Sequence, residues 1–518
     1  MNENCVTIEA NSSDSHQEFE LSLHDNLPQT SNIDSMHKSI SVPHLIAISF
    51  FYICSGPFGQ GQVISSAGAK YTFIFTLLVP VFFAVPLALI SSEQATRLPM
   101  CGGCVEWGYV LGGFVGTLNT YVRFLCSVFD NAIYPVMTYD YLLALIPGIN
   151  KTIYRVITVL VVNIIAIILN IFGLEVVGIA SIILAVLIVT PFLIFFFLGI
   201  PSFTLEKIFA DKPKEYGSVD WYAMISTLVW QFGGFDTVSA LAEETKNPKR
   251  TFPVALSFTI VLVTLMYLLP TIAGVSVEPD LDIWKSGGFP IVAKLLPFCE
   301  NGWLSYWICI GGLISGLSLL NISISCTGRE TFAGALFNSF PFSSFLSKLH
   351  YNKNGEPSPI NAIIFMSLLT IPFSFFHFSM LVEWAGLLTV IQQLIQIASF
   401  VACRFPSRIK AMKQKRKELL RNNEQLLMET PEIDNDKPEN SSSDLLQEDE
   451  DMSTKFIIPG GWIGVVLVVT PIFLTCIFLF LVIEIESIII CTALIAGMFL
   501  LKWMHKLLLI ACSKCKKE

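Results

Sequence analysis

Twelve runs of apolar residues dominate the chain between Val42 and Trp503. Each is near or above the ~20 residues that a helix needs to cross a bilayer. In hydrocarbon every backbone N–H and C=O must find its partner within the protein, so such runs become helices. The first is Val42–Ala67, the sixth Trp221–Ala242 and the last Ile485–Trp503. The third, Val105–Ile146, is long enough for a strongly tilted helix with an extension beyond the membrane. Composition agrees: the 518 residues are 53% hydrophobic and 14% charged, against about 25% charged in a soluble protein. The expected fold is an all-α integral membrane protein with about twelve transmembrane helices. No cleavable signal is expected, because the first forty residues are polar and acidic.

The net charge of −9 belongs to two stretches. Residues 1–40 hold seven acids against Lys38, and residues 424–451 hold eleven against Lys437. Without them the body carries about +7, so no acidic field surrounds it. Both stretches lack apolar periodicity and read as disordered. With the N-terminus in the cytoplasm, 23 of the 32 basic residues fall in cytoplasmic segments, eight fall outside and Arg123 sits inside a span. That bias favours both termini inside; the plasma membrane is the expected location. The domains read as a tail (1–41), a ten-helix core (42–403), a basic then acidic linker (404–459), helices eleven and twelve (460–503) and a tail (504–518). The basic block Arg404–Arg421 reads either as a segment lying on the anionic inner leaflet or as a solvated loop. Asn150-Lys151-Thr152 is the one glycosylation pattern in an external loop.

Two spans are interrupted. The first breaks at Ser55-Gly56-Pro57-Phe58-Gly59, where Pro57 lacks a donor and the glycines relax the backbone. The sixth breaks at Phe232-Gly233-Gly234-Phe235-Asp236. Two glycines and a carboxylate are poor material for a lipid-facing helix. Irregular backbone at membrane depth persists only where protein covers it or where it lines a cavity. Each broken span opens a block of five, which is the mark of a 5+5 inverted repeat (LeuT-like) with its site between broken helices 1 and 6.

These residues resemble the amino acid–polyamine–organocation superfamily, and within it the polyamine uptake branch of plants and protists. Ser55–Gly59 is similar to that branch's first-helix motif. The run Ser127-Val128-Phe129-Asp130-Asn131-Ala132-Ile133-Tyr134-Pro135-Val136 is similar to its third helix, and Gly102-Gly103 with Glu106-Trp107 to its second internal loop. Trp230, Phe235-Asp236, Glu244 and Asn247-Pro248 fall where the family has its sixth helix and the loop after it. Arg329, Pro341 and Pro357-Ser358-Pro359 resemble the loop after helix eight, and Pro459-Gly460-Gly461 the start of helix eleven. The likeness covers roughly residues 42–404 and 456–503. One departure stands out: the branch usually carries an acid two residues after Gly-Pro-Phe-Gly, where this chain has Gly61.

The chemistry of the breaks follows from helix ends. A half-helix beginning after Gly59 presents N–H groups that suit a carboxylate, and one ending near Gln231 presents carbonyls that suit an ammonium group. Trp230, one turn before the second break, could cover the substrate and stack on a cation; the resemblance implies an aromatic gate there. Asp130 and Asp236 lie well inside spans and are the candidates for ion coupling. Arg123, seven residues before Asp130, can share its helix face or pair with another buried acid. Glu93 and Glu244 sit at the cytoplasmic face and read as gate or loop residues. A substrate that keeps an α-carboxylate is expected to compete better than a spermidine-like one.

The leading expectation is a secondary active transporter of amino acids or polyamines, coupled to a cation, the proton first. A membrane nutrient sensor of the same fold is the alternative, with the long cytoplasmic segment as its output. An enzyme is not expected, since no His-x-x-Glu-His, Gly-x-Ser-x-Gly or Walker pattern occurs. No cofactor, resident metal or nucleic acid is expected. Membrane lipids and the small substrate are the expected partners, and oligomeric state is not legible. The pairs Cys101/Cys104 and Cys512/Cys515 read as a glycine turn and a membrane-proximal acylation site rather than zinc ligands.

Overall fold

A computed structural model describes residues 38–54, 56–149, 151–171, 174–286, 288–351, 357–427 and 455–515. Asn150 and Ser55 lie outside the described residues, as does the acidic stretch from 428. The regular secondary structure of the described residues is helical apart from a two-residue ladder, His350–Tyr351 with Pro357–Ser358, and an isolated bridge between Ile40 and Thr245. Among the described residues, seven helical stretches are long and apolar enough to cross a membrane, and three shorter apolar helices accompany them. Large apolar side chains such as Val81, Phe82, Leu467 and Leu481 are more than half exposed. A face so apolar is a lipid-facing one, so the protein is an integral, multi-pass membrane protein.

Helix α1 (Val42–Ile53) stops where Gly56 takes φ +146°, and α2 (Gln60–Val79) starts behind Gly59 at φ +74°. Gly68, at φ +76°, turns the chain inside α2. A π-turn (Pro80–Ala84) then leads into α3 (Val85–Arg97).

The third apolar run is not one helix. Residues Cys104–Gly108 form a short helix, α4, and Tyr109–Leu111 a 3-10 turn, before Gly112 at φ +124° reverses the chain. Helix α5 (Gly113–Leu145) begins only there, and its 33 residues make it about 50 Å long. The glycine pair, rather than hydropathy, sets that boundary.

Helices α6 (Thr152–Ile171) and α7 (Leu174–Gly199) follow. Helix α8 (Trp221–Gln231) is capped by Asp220, whose carboxylate accepts from the Ala223 N–H at 3.0 Å. It breaks at 232–236 and resumes as a 3-10 turn, Thr237–Leu241. The remaining long elements are α9 (Pro248–Val277), α10 (Trp303–Leu336), α11 (Ile360–Phe373), α12 (Phe378–Ala402), α13 (Pro406–Leu427), α14 (Gly461–Val482) and α15 (Ile485–Cys515).

Helix α13 carries the basic block; Arg404 just before it and Arg416 within it are partly buried in ion pairs, and the exposed Arg408 also touches protein. Arg404 Nη2 lies 2.6 Å from Glu93, Arg408 donates to the Val110 carbonyl at 3.3 Å, and Arg416 Nη2 meets Glu243 at 2.8 Å. Arg416 Nε also approaches Glu106 to 3.1 Å, off the line of a hydrogen bond. Burial alone would lower the Arg416 pKa, but Glu106 and Glu243 outweigh it, so the guanidinium stays charged. These contacts gather the start of α1, the 98–112 loop, the 242–247 turn and α13 on one face of the protein, here called the N-terminal face.

Candidate functional site

The two breaks meet. Gln231 Nε2, the last residue of α8, donates to the Phe58 carbonyl in the first break at 2.7 Å. Gly234 packs so tightly on Tyr52 that a Cβ there would lie 2.5 Å from the ring. Beside this junction is a cavity with about 60 Å³ of room for the centres of water molecules. Room on that scale admits several water molecules.

Its walls come mainly from four elements, with Leu319 of α10 completing them. The end of α1 gives Tyr52, Ile53 and Cys54; the break after α8 gives Gly233, Gly234 and Asp236; α12 gives Gly386 and Thr389. Helix α5 gives Arg123, Ser127, Asp130 and Tyr134, spaced by four, three and four residues and therefore on one face.

The expected site residues divide. Trp230, Gly233, Gly234 and Asp236 are at the cavity wall. Gly56, Pro57, Phe58 and Gly59 are not among its lining, which takes Cys54 instead. Phe58 is buried edge-on against Tyr141, with ring centroids 5.4 Å apart. Phe232 is buried against Tyr267, and Phe235 is fully buried as well. In this conformation all three break phenylalanines pack inside the protein and cover the irregular backbone.

Trp230 and Asp130 act together. The indole Nε1 donates to Asp130 Oδ1 at 2.9 Å, and the Tyr134 hydroxyl donates to Oδ2 at 2.8 Å. The indole stands edge-on to Phe378 at 5.6 Å. Asp130 is only half-buried, so its remaining lone pairs face the cavity.

Deeper, toward the N-terminal face, Arg123 joins two carboxylates. Its Nε lies 2.9 Å from Glu330 Oε2, and its Nη1 lies 3.5 Å from Asp236 Oδ2. All three side chains are buried. Asp130, Asp236 and Glu330 thus stand against a single guanidinium, which leaves the site in formal excess of negative charge. Glu330 is the buried acid beside the site that sequence reasoning missed. The available signal was Arg123 itself, because a cation inside a span demands a buried acid.

The gate and loop acids occupy the N-terminal face. Glu93 is held by Arg97 at 2.9 Å and Arg404 at 2.6 Å, and it accepts from the Ile458 N–H at 2.9 Å. Glu244 pairs with Arg329 at 2.6 Å. The loop beside them packs closely on α10: a Cβ on Gly102 would fall 2.1 Å from that of Ala333.

The amino acid permease family model matches residues 41–431, three-quarters of the chain. The chain belongs to this family, part of the amino acid–polyamine–organocation superfamily. Its relatives include a probable polyamine transporter of Arabidopsis thaliana, 28% identical over 71% of this chain and 72% of its own length. A polyamine transporter of Oryza sativa subsp. japonica is 29% identical over 71% of this chain and 68% of its own length. The aspartate-proton symporter of Bacillus subtilis is more distant, 24% identical over 59% of this chain and 62% of its own. Family and relatives are transporters rather than enzymes, and so is this permease at that level.

Proposed function

We propose that this permease is a secondary active transporter of small organic cations, polyamines first and cationic amino acids second, driven by protons. The observation that carries this reading is the charge at the cavity: Asp130 and Asp236 line it with Arg123, and a third carboxylate, Glu330, stands behind that one guanidinium. Arg123 is already engaged by two acids and is poorly placed to receive a substrate carboxylate. The half-helix behind Gly59 is not among the cavity lining, so the preference for α-carboxylates expected from the sequence loses its support. An ammonium group instead finds Asp130 under the Trp230 indole, and a second finds Asp236 beyond it. The names of the plant relatives point the same way, and that of the bacterial symporter supports the proton.

In this reading twelve spans form a 5+5 inverted repeat, and alternating access proceeds around broken helices 1 and 6. The core is 42–403, the 404–459 segment is a cytoplasmic linker, and both termini are cytoplasmic at the plasma membrane. The described conformation is then closed on the cytoplasmic side by Arg329–Glu244 and Arg416–Glu243. Topology is checked by labelling: a cysteine placed at Ser442 should stay unlabelled from outside intact cells. External reagents or glycans should reach Asn150. Labelling of the Ser442→Cys protein would reverse the orientation.

Function is checked by competition. Purified protein in liposomes with an acidic exterior should accumulate labelled putrescine, and spermidine should inhibit more strongly than lysine or leucine. Asp130→Asn should weaken putrescine affinity by about ten- to a hundredfold, the range for leaving one buried ammonium without its carboxylate. Inhibition by lysine and leucine with none by spermidine would return the site to amino acids. Saturable binding without uptake would favour the sensor.

A further inference from the structure

Glu330 is held in the wall between two spaces. On one side is the substrate cavity, reached through Arg123 and Ser127. On the other is a second, narrow space lined by Ser127, Glu330, Thr120, Thr327 and Thr331, with no room for the centre of a water molecule. Ser127 belongs to both. From Thr120 a run of hydroxyls continues toward the N-terminal face. Thr120 Oγ1 lies 3.0 Å from the Tyr109 hydroxyl, which is hydrogen-bonded to Ser339, which in turn donates to Thr117 Oγ1 at 3.4 Å. Thr117 is one turn from the start of α5, and Gly113 at that start is exposed. Hydroxyls both donate and accept, so a connected row of them can pass a proton by rotation.

We propose that Glu330 is the proton-carrying group of transport and that Thr120, Tyr109, Ser339 and Thr117 form its exit to the cytoplasm. The proposal rests on the proton coupling read above. The charged and titratable neighbours of Glu330 are Arg123 on α5, Asp236 in the second break, Tyr52 at the end of α1, Cys326 one turn earlier on α10, and Cys104, whose thiol donates to Glu330 Oε1 at 3.3 Å. Arg123 can satisfy Asp236 and Glu330 together, or Asp236 alone when Glu330 has accepted a proton. A proton arriving through the cavity neutralises the Glu330 carboxylate, and its later departure along the hydroxyls restores that carboxylate. One proton crosses and nothing else is consumed. The dry gap between Glu330 and Thr120 is a necessary part of the arrangement. While it is closed no proton slips through without substrate; when α5 and α10 part during inward opening, water enters and completes the chain.

The test uses full-length protein in liposomes containing a pH-sensitive dye, with putrescine uptake and internal acidification followed together. The wild type should acidify the interior with each putrescine taken up. Absence of that signal overturns the coupling reading itself, and this proposal with it. With coupling present, Glu330→Gln should lower protons moved per putrescine by at least about tenfold, and Glu330→Asp should restore part of the ratio. Tyr109→Phe decides the exit route and is safe for folding, because the ring keeps its stack on Phe337 at 4.0 Å. It should slow proton-driven net uptake by about tenfold, while exchange of internal for external putrescine, which needs no net proton release, stays at the wild-type rate. Wild-type proton-to-putrescine ratios in Glu330→Gln exclude Glu330 as the carrier. Wild-type net uptake in Tyr109→Phe excludes the hydroxyl route.

Discussion

Arg123→Ala should lower the stability of the purified protein by about 3–5 kcal/mol, the cost of breaking a buried ion pair by removing one partner. The guanidinium is the single charge between Asp236 and Glu330, at 3.5 and 2.9 Å, and all three side chains are buried. Removing it strands two carboxylates together in a medium that solvates neither. Lysine should not substitute. The contacts use Nε toward one acid and Nη1 toward the other, a fork that a single ammonium cannot reproduce. Thermal melting in detergent checks this, with Arg421→Ala, an exposed position, as the reference. A double-mutant cycle with Glu330→Ala isolates the pair, and neighbours in one network should show non-additivity of about 0.5–3 kcal/mol. If Arg123→Ala melts with the Arg421→Ala protein, the three groups are not a structural unit.

How the site came to be half legible follows from what each residue needs. Asp130, Asp236 and Arg123 announce themselves because a charge within an apolar run is costly wherever the helix goes. Glu330 does not. It follows Arg329 near the end of the 34-residue helix α10, where a charged pair reads as the membrane face. Its partner Arg123 is 207 positions away, beyond any helical periodicity. The same limit governs Arg416, whose block reads as a leaflet-facing or solvated segment until Glu106 and Glu243 are brought over it.

Fold legibility has a similar edge. Apolar runs mark the spans because hydrocarbon enforces them, and Gly-Pro and Gly-Gly mark the breaks because their backbone does. Hydropathy does not reveal where α5 begins, since residues 104–111 are as apolar as the helix behind them, and they fold into a separate α4 and a 3-10 turn. They are held there by close approach rather than by transfer to lipid: a Cβ on Gly103 would lie 2.7 Å from the Ala240 backbone nitrogen. Phe232 and Phe235 show the converse. Their place inside the second break suggested contact with substrate, yet an irregular backbone needs apolar cover first, and they supply it.

Gly234→Leu should abolish uptake, by on the order of a hundredfold or more, while the protein still inserts and is recovered from the membrane. Gly234 sits at φ +91°, a conformation that side chains rarely adopt, and its absent Cβ would stand 2.5 Å from Tyr52 Cε1. Tyr52 is itself part of the cavity wall, so the leucine would strain the break and push an aromatic ring toward the space the substrate needs. Gly56→Leu, at φ +146° and 2.8 Å from the Phe58 ring, should act in the same direction, with a flexible ring end absorbing part of the clash. Gly386 provides the contrast: it lines the same cavity, yet a Cβ there meets nothing within 4 Å. Gly386→Ala should therefore leave folding unchanged and lower affinity only slightly. Uptake kinetics and membrane yield measured on all three variants separate strain at the breaks from simple loss of volume. Near-normal uptake by Gly234→Leu would mean that the second break does not need its present backbone, and the transport site would have to lie elsewhere.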